Sequence, residues 1–332
     1  MKAIIPVAGA GTRLRPHTYT QPKPLIPVAG KPIISHIVDT LSVAGIREFV
    51  FVIGYLGEKI KDFLNETYAD SDIEMTFVQQ DQREGLGHAI WTARHSFSKE
   101  KEILIVVGDI IFEVDLAPVL ESACSMVGIR KVEDPREFGV VEMGEEDEIV
   151  RKLIEKPRIP KSDLAITGIY KINDIPLLID CLHINIANNM RTHGEIQLTD
   201  ALDNMIEKGC KFKTFHVDIW FDCGKKEVLL DTNVMLLDKQ PYLETPVFEN
   251  TIFIHPVSIG ENCEITNSIV GPHVTVGKGS KIESSIIKNS IIGSFAALDE
   301  VVLHQSIIGN DTAVHGLRQS LNLGDNTEID FR

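Results

Sequence analysis

Short apolar runs alternate with amphipathic stretches over the first 240 residues of the chain. Runs of strand length occur at 3–8, 48–55, 73–78, 102–107 and 211–216, and helical spacing occurs at 32–45, 58–64, 89–97 and 225–238. Strands that alternate with helices are typical of a mostly parallel, doubly wound sheet covered on both faces. We therefore predict an α/β domain over residues 1–240, with ligands gathered at the carboxyl ends of its strands.

The periodicity changes after a polar linker at residues 239–246. Aliphatic residues then recur at spacings of five or six, and glycine directly follows several of them, as in Ile259-Gly260. This hexapeptide repeat predicts a short left-handed parallel β-helix over residues 247–332, in which each rung turns one aliphatic side chain inward. Eleven positions follow the repeat: Ile259, Ile265, Val270, Val276, Ile282, Ile287, Ile292, Leu298, Leu303, Ile308 and Val314.

The composition of the chain limits the number of domains and the classes of molecule that it can bind. A chain of 332 residues with 43% hydrophobic content is long enough for two domains with cores of their own. Its net charge of −15 argues against general binding to nucleic acid or to an anionic membrane. The five cysteines include no Cys-x-x-Cys pair, and no apolar run has the length of a membrane helix. We expect a cytoplasmic protein with reduced thiols.

The first forty residues carry an unusual charge pattern. No Asp or Glu occurs before Asp39, although about five would be expected at the average frequency of the chain, and five bases stand there. A glycine loop at residues 9–15 comes directly after the first predicted strand, and backbone N–H groups in such a loop can bind an anion. A tight turn with solvated bases is the alternative. Neither a third glycine, as in dinucleotide-binding loops, nor a Gly-Lys-Ser/Thr sequence is present.

The segments 6–16, 21–28 and 30–32 together resemble the signature of the sugar-1-phosphate nucleotidyltransferases. The resemblance implies a Rossmann-like, doubly wound, mostly parallel nucleotidyltransferase domain followed by the β-helix. It also implies that the loop holds a nucleoside triphosphate, and that Arg13 and Lys23 bind the phosphates and promote catalysis. The implied contacts in the loop are Ala8, Gly9, Ala10, Gly11, Thr12 and Arg13.

A polar loop at residues 78–89 leads into the third predicted helix. Alone it is typical of a surface loop that ends in glycine. Beside the first signature it resembles the base-contacting loop of the same family, which implies contacts from Gln80 and Gly85 to a pyrimidine. The Gln80 amide offers both a donor and an acceptor, as the edge of uracil or thymine requires.

Two aspartates follow apolar segments that are far apart in the chain. Asp109 ends the run 103–109, and Asp222 lies in Trp220–Gly224, after the strand predicted at 211–216. The second segment resembles the second metal-binding segment of the family. Two carboxylates suit Mg²⁺, with substrate phosphates and water completing its coordination shell. Mg²⁺ is therefore the cofactor we expect.

The middle of the chain carries further segments in the order found in the family. The resemblance implies that Lys156 holds the phosphate of the sugar 1-phosphate, while Glu155, Gly139 and Thr167 meet sugar hydroxyls. Glu195 lies in a segment, 194–200, that resembles the one closing over the sugar. His193 stands where many thymidylyltransferases have an arginine, and imidazole binds phosphate less strongly than guanidinium does.

These segments predict an enzyme that joins a nucleoside triphosphate to a sugar 1-phosphate and releases pyrophosphate. Glucose 1-phosphate with dTTP or UTP is the first interpretation. Mannose-1-phosphate guanylyltransferase, acetylglucosamine-1-phosphate uridylyltransferase and a catalytically silent regulatory subunit remain alternatives. Acyl transfer by the β-helix is disfavoured, although this domain contains histidines that could act as a base. We expect the β-helix instead to pack within a homo-oligomer. No nucleic-acid or membrane partner is expected.

Overall fold

A computed structural model describes residues 1–144, 149–241 and 247–316. They form two compact units, the first containing 1–26 and 31–232, the second containing 27–30 and the described residues from 233 onward. Most of the predicted linker at 239–246 and the end of the chain lie outside the described residues. The domain bounds 1–240 and 247–332 therefore stay a prediction.

Eight α-helices occur in the described residues. They are α1 (Ile33–Val43), α2 (Gly57–Thr67), α3 (Leu86–Thr92), α4 (Arg94–Phe97), α5 (Ala117–Glu121), α6 (Ile175–Ala187), α7 (Leu198–Glu207) and α8 (Lys226–Lys239). The strands before residue 223 are β1 (Lys2–Pro6), β2 (Pro27–Val28), β3 (Lys31–Pro32), β4 (Glu48–Ile53), β5 (Glu74–Gln79), β6 (Ile103–Val106), β7 (Ile110–Glu113), β8 (Ser125–Lys131), β9 (Val140–Met143), β10 (Val150–Ile154), β11 (Leu164–Ile172), β12 (Phe212–His216) and β13 (Ile219–Asp222).

A nine-stranded sheet forms the centre of the first unit. Its order is β10-β9-β11-β6-β1-β4-β5, with β8 beside β11 and β12 beside β8. The run β6-β1-β4-β5 is parallel throughout, as predicted, whereas β11 pairs antiparallel with β6 and β9. The sheet is therefore mixed. Because four neighbouring strands point the same way, the segments that follow β1, β4, β5 and β6 all emerge at one edge.

Continuous apolar sequences explain why these strands lie at the centre. All four residues of β6 and the middle of β1 are fully buried, as expected for strands covered on both faces. Helices α3, α6 and α7 contribute to the core on one side of the sheet, through residues such as Ile90, Leu182 and Leu202. Burial of this apolar surface is the main driving force for the fold.

Most predicted elements are confirmed within two or three residues at each end. The single helix predicted at 89–97 is two helices, because α3 begins at Leu86 and ends at Thr92, and α4 follows separately and ends at Phe97. Gly85 and Gly87 look like loop residues in the sequence, yet the helix starts between them. All five cysteines are free thiols. Within 1–144, 149–241 and 247–316, no helix combines the length and the apolar character needed to cross a bilayer.

The second unit contains the predicted β-helix. Its strands are β14 (Ile252–Phe253), β15 (Val257–Ile259), β16 (Glu264–Thr266), β17 (Ile269–Val270), β18 (Val274–Val276), β19 (Lys281–Glu283), β20 (Ile286–Lys288), β21 (Ile291–Ile292), β22 (Ala297–Asp299), β23 (Val302–His304), β24 (Ile307–Ile308) and β25 (Ala313–His315). They stack into three parallel sheets of four strands each. All eleven positions of the repeat lie in the shared core or pack against it, which confirms the predicted periodicity.

The β-helix offers a matched test of its interior, because neighbouring residues of β20 face opposite ways. Ile287 is fully buried, whereas Ile286 is 48% exposed. We expect Ile287→Ala to lower the free energy of unfolding by about 2–5 kcal/mol, through lost burial and a cavity, and Ile286→Ala by less than about 1 kcal/mol. Urea denaturation followed by circular dichroism measures both. Equal losses would contradict the assignment of Ile287 to the interior.

Candidate active site

The glycine loop follows β1 at the sheet edge where the parallel strands end. Gly11 has a φ of 60° and precedes a short 3₁₀ turn at Thr12–Leu14. A Cβ atom at Gly11 would lie 3.0 Å from Cβ of Lys23, so glycine permits this close approach. A Cβ atom at Gly9 would meet nothing within 4 Å, so this part of the loop faces open space.

Four charged side chains meet beside this loop, and we call Arg13, Lys23, Asp109 and Asp222 the charge cluster. The Lys23 side chain is only 7% exposed, and its Nζ lies 2.6 Å from Oδ2 of Asp109 and 3.7 Å from Oδ1 of Asp222. Nη2 of Arg13 lies 3.8 Å from Oδ2 of Asp222. Burial of an ammonium group without partners is energetically costly, and these carboxylates offset that cost for Lys23.

A two-stranded antiparallel sheet between distant segments brings Asp222 to Asp109. Strand β13 pairs antiparallel with β7, and the register sets Asp222 opposite Ile110. The backbone N–H of Cys223 also donates to the carbonyl oxygen of Asp109 over 3.0 Å. The sequence pattern indicates only the strand at 211–216 ahead of Asp222 and gives no sign of the intervening strand β13, which supplies this contact.

The two carboxyl groups have opposite pKa shifts. Burial raises the pKa of Asp109, but the Lys23 ammonium, its hydrogen bond and the Arg13 guanidinium together hold that pKa below its ordinary value. Burial and the neighbouring Asp109 carboxylate raise the pKa of Asp222. Oδ1 of Asp222 is buried and accepts no hydrogen bond from the described residues. A further cation beside it would favour the ionised form.

A cavity of about 860 Å³ opens at this edge of the sheet. The predicted nucleotide contacts all line it together with Asp109 and Glu195: Ala8, Gly9, Ala10, Gly11, Thr12, Arg13, Lys23, Gln80 and Gly85. Asp222 is linked to it through Lys23 and Arg13. Gly139, Glu155, Lys156 and Thr167 are not among its lining residues.

The predicted base loop is fixed by contacts to residues more than a hundred positions later. The N–H of Ile196 donates to the carbonyl oxygen of Glu84 over 2.7 Å, and the N–H of Gly87 donates to that of Ile196 over 2.8 Å. Nη2 of Arg191 lies 3.1 Å from Oε2 of Glu84. The loop and the segment around Glu195 are therefore held as one piece.

The predicted sugar residues form a second group. Oγ1 of Thr199 donates to Oε2 of Glu155 over 2.7 Å, and a Cβ atom at Gly139 would lie 3.1 Å from the same oxygen. The Lys156 side chain is 47% exposed, and Nε2 of His193 lies 3.3 Å from the carbonyl oxygen of Lys156. His193, which lies beside Lys156, is only two residues before Glu195, which lines the main cavity. The segment 193–195 therefore runs from this group to the cavity.

Thr167 differs from the rest of this group. It is almost fully buried, and its Oγ1 has no hydrogen-bond partner among the described residues. It precedes Gly168, whose carbonyl oxygen accepts from the N–H of Val107, two residues before Asp109. Thr167 therefore lies beside the strand end that carries Asp109.

Several residues of the site were not assigned from the sequence. Asp81, Arg83 and Leu86 line the cavity, and Thr199 binds Glu155. The first three occur in the same polar loop as Gln80, and Thr199 lies in the segment 194–200. Their closeness in sequence to residues already assigned is the feature that could have identified them. Their roles depend on which way each side chain points, which the sequence does not specify.

Comparison with known proteins identifies the family of this chain. A family model described as Nucleotidyl transferase matches residues 2–239. The chain is 29% identical over 329 residues to a glucose-1-phosphate thymidylyltransferase of Streptomyces antibioticus, with 96% of this chain and 90% of that protein covered. It is 33% identical over 347 residues to the bifunctional protein GlmU of Methanococcus vannielii, with 94% and 78% covered.

A solved structure is also similar. The crystal structure of UDP-glucose pyrophosphorylase complexed with UDP-glucose matches with a TM-score of 0.62 and 26% identity, over 72% of this chain and 99% of that one. The family match spans well over half of this chain and includes every residue of the charge cluster. The protein therefore belongs to the nucleotidyl transferase family and is a sugar-1-phosphate nucleotidyltransferase.

Proposed function

We propose that this enzyme transfers a uridylyl or thymidylyl group from UTP or dTTP to glucose 1-phosphate and releases pyrophosphate. The observation that carries the proposal is one cavity lined by the glycine loop, Lys23, Asp109 and Gln80. Asp222 completes the charge cluster through its contacts with Arg13 and Lys23. The names of two similar proteins, a glucose-1-phosphate thymidylyltransferase and a UDP-glucose pyrophosphorylase, favour these substrates.

The reaction requires little covalent chemistry from the protein. An oxygen of the sugar phosphate attacks the α-phosphorus of the triphosphate, a new P–O bond forms, and the bond to the bridging oxygen breaks with departure of pyrophosphate. The sugar phosphate is already a nucleophile, so no side chain need form an intermediate. Burial raises the pKa of the nearby Cys223 thiol to about 12, which keeps it protonated and unreactive.

The main barrier is repulsion between two anions. Two unit charges 4 Å apart repel by about 4 kcal/mol at an effective dielectric constant near 20. The N–H groups of residues 9–12, with Arg13 and Lys23, would oppose this repulsion and hold the triphosphate for in-line attack. Because the Lys23 ammonium is buried and held by Asp109, it needs little reorganisation during the reaction.

The carboxylates of the charge cluster fit Mg²⁺. In the described part of the chain, no group of three or more His, Cys, Asp or Glu side chains converges, so the protein would supply only Asp109 and Asp222. Mg²⁺ is commonly held by one or two carboxylates, with substrate phosphates and water completing the shell. Oδ1 of Asp222, which is buried and accepts no hydrogen bond from the described residues, is suited to bind the metal ion. Bound Mg²⁺ would neutralise charge that develops on the leaving pyrophosphate.

The sugar phosphate would bind in the second group of residues. Lys156 has the exposure needed to reach its phosphate, while Glu155, Gly139 and Glu195 would contact hydroxyl groups. A contact from Thr167, which is almost fully buried, is supported by the sequence resemblance alone. His193 lies beside the Lys156 backbone and would support the phosphate less strongly than an arginine. The cytoplasmic location and the homo-oligomeric state remain predictions from the sequence.

A matrix of substrates tests the proposed function. Purified enzyme with Mg²⁺ is assayed for pyrophosphate release against UTP, dTTP, CTP, GTP and ATP, each with the 1-phosphates of glucose, mannose and acetylglucosamine. We expect the highest kcat/KM for glucose 1-phosphate with UTP or dTTP. Preference for GTP with mannose 1-phosphate, or for acetylglucosamine 1-phosphate, would contradict this choice of substrates.

Two lysines near the amino terminus provide a matched test of catalysis. Lys23→Met removes the buried charge of the cluster, whereas Lys31→Met removes a lysine that is 58% exposed and paired with Asp39. We expect Lys23→Met to lower kcat by at least about a hundredfold, as loss of one preorganised charge does, and Lys31→Met to change it by less than about threefold, on the order of a surface effect. Similar kcat values for the two variants would place the catalytic charge elsewhere.

Metal binding has a readout that is independent of turnover. Asp222→Asn removes one charge from the proposed ligand pair, and Asp218→Asn removes an exposed one nearby. We expect Asp222→Asn to weaken binding of Mn²⁺ in the presence of UTP by at least about tenfold, since each ligand carboxylate contributes charge to the site. Electron paramagnetic resonance of free Mn²⁺ measures this binding. Unchanged affinity in Asp222→Asn, equal to that of Asp218→Asn, would remove Asp222 from the metal site.

A further inference from the structure

We propose that His88 is a positioning residue that sets the orientation of the Gln80 amide, so that the cavity presents a hydrogen-bond acceptor to the nucleotide base. The enzyme would then select bases with a ring N–H, such as uracil and thymine, over cytosine. This inference rests on the proposed function, because it requires Gln80 to meet the base.

The orientation of the amide follows from its two neighbours. Nε2 of Gln80 lies 3.3 Å from the carbonyl oxygen of Gly85 and 3.0 Å from Nδ1 of His88. A carbonyl oxygen can only accept, so the amide group that faces Gly85 must be the NH₂. The same NH₂ has a second hydrogen for His88. Both contacts therefore hold one end of the amide, and a flipped amide would set Oε1 against the Gly85 carbonyl oxygen, where two acceptors would face each other.

The Gly85 carbonyl is itself fixed. Gly85 has a φ of 111°, precedes α3, and its carbonyl oxygen accepts from the N–H of Ala89 over 3.1 Å. A Cβ atom at this position would lie 2.6 Å from the carbonyl oxygen of Ile196, so only glycine fits here. The hydrogen bond from Ala89 and the close packing of Gly85 against Ile196 fix the Gly85 carbonyl oxygen in place. This oxygen is the first of the two groups that hold the Gln80 amide.

His88 supplies the second anchor from the first turn of α3. The NH₂ of Gln80 can only donate, so Nδ1 of His88 must accept, and the neutral ring carries its proton on Nε2. The ring lies beside Trp91, with centroids 6.2 Å apart, and the residue is half-buried. The acceptor of His88 is therefore held at a fixed place by the helix and by this packing.

The other end of the amide is directed to the cavity. Gln80 lines the cavity and is only 4% exposed, and within the described residues no group donates to its Oε1. Oε1 is not enclosed by protein, so it stays open to the cavity and can accept a hydrogen bond from a ligand that brings a donor. In uracil and thymine the ring N3 carries a hydrogen, whereas N3 of cytosine is an acceptor. Oε1 facing N3 of cytosine would leave two acceptors in contact.

Guanine also has a ring N–H, and cytosine and adenine carry an exocyclic NH₂ that can donate. The acceptor therefore disfavours cytosine and adenine where Oε1 faces their ring nitrogen, and it does not reject guanine. A polar site commonly rejects an analogue that leaves its hydrogen-bonding groups unpaired by a large factor. We expect the wild-type enzyme to prefer UTP to CTP by at least about a hundredfold in kcat/KM. His88 controls this ratio without touching the base.

The test compares three variants at position 88 or near it. His88→Leu keeps a side chain of moderate size but removes the acceptor, His88→Gln restores an acceptor, and His95→Leu removes an exposed histidine from α4 as the matched control. The measurement is the ratio of kcat/KM for UTP to that for CTP with one sugar 1-phosphate. We expect the ratio to fall at least about tenfold in His88→Leu, to recover at least partly in His88→Gln, and to stay unchanged in His95→Leu.

A merely structural role of His88 would lower both kcat/KM values together and leave their ratio unchanged, which would overturn the inference. A wild-type enzyme that prefers CTP or ATP would overturn it as well. If glucose 1-phosphate is not used but UTP is preferred with another sugar 1-phosphate, the proposed sugar fails and the inference is tested with that sugar. Should His88→Leu fold poorly, Gln80→Leu is expected to bring the UTP to CTP ratio close to one, and a retained preference would overturn the inference.

Discussion

The buried ion pair between Lys23 and Asp109 is the interaction on which the site depends. The lysine follows the glycine loop that leaves β1, and the aspartate lies just beyond the end of β6, the neighbouring strand. A buried ammonium without a partner would be strongly unfavourable, so the pair fixes the loop against the strand end. Asp222 and Arg13 extend it into a group of two positive and two negative charges.

This arrangement suits a site that must receive highly charged substrates. In the protein alone the four charges balance, because each cation lies near a carboxylate. A triphosphate brings negative charge that the cations can bind, and a divalent cation brings positive charge for the carboxylates. The cluster could then accept both ligands without a large change in its total charge, which limits the cost of burying them.

Features that depend on the local pattern of hydrophobic residues were predicted correctly from the sequence. All eleven positions that the hexapeptide repeat singled out lie in the core of the β-helix or pack against it, because each rung has its own short period. The continuous apolar runs located the parallel strands, and parallel strands necessarily gather their following loops at one edge. This geometry explains why Gly11, Gln80 and Asp109, predicted from separate segments, line one cavity.

Contacts between distant segments could not be predicted in the same way. Strand β13 has only four residues and no clear alternation, yet its register with β7 is what sets Asp222 beside Asp109. The pairing of the base loop with Ile196 uses backbone groups, which leave no trace in the side-chain pattern. The role of His88 likewise depends on which end of the Gln80 amide faces it, and only coordinates give that orientation.

The central claim is that the glycine loop and the two aspartates act on the same triphosphate. A crystal structure with Mg²⁺ and a UTP analogue that cannot release pyrophosphate tests it most directly. The account predicts phosphates against the N–H groups of residues 9–12, with the metal ion bound by Asp109 and Asp222 and by the phosphates. A triphosphate bound away from the loop, or a metal ion that contacts neither aspartate, would contradict it.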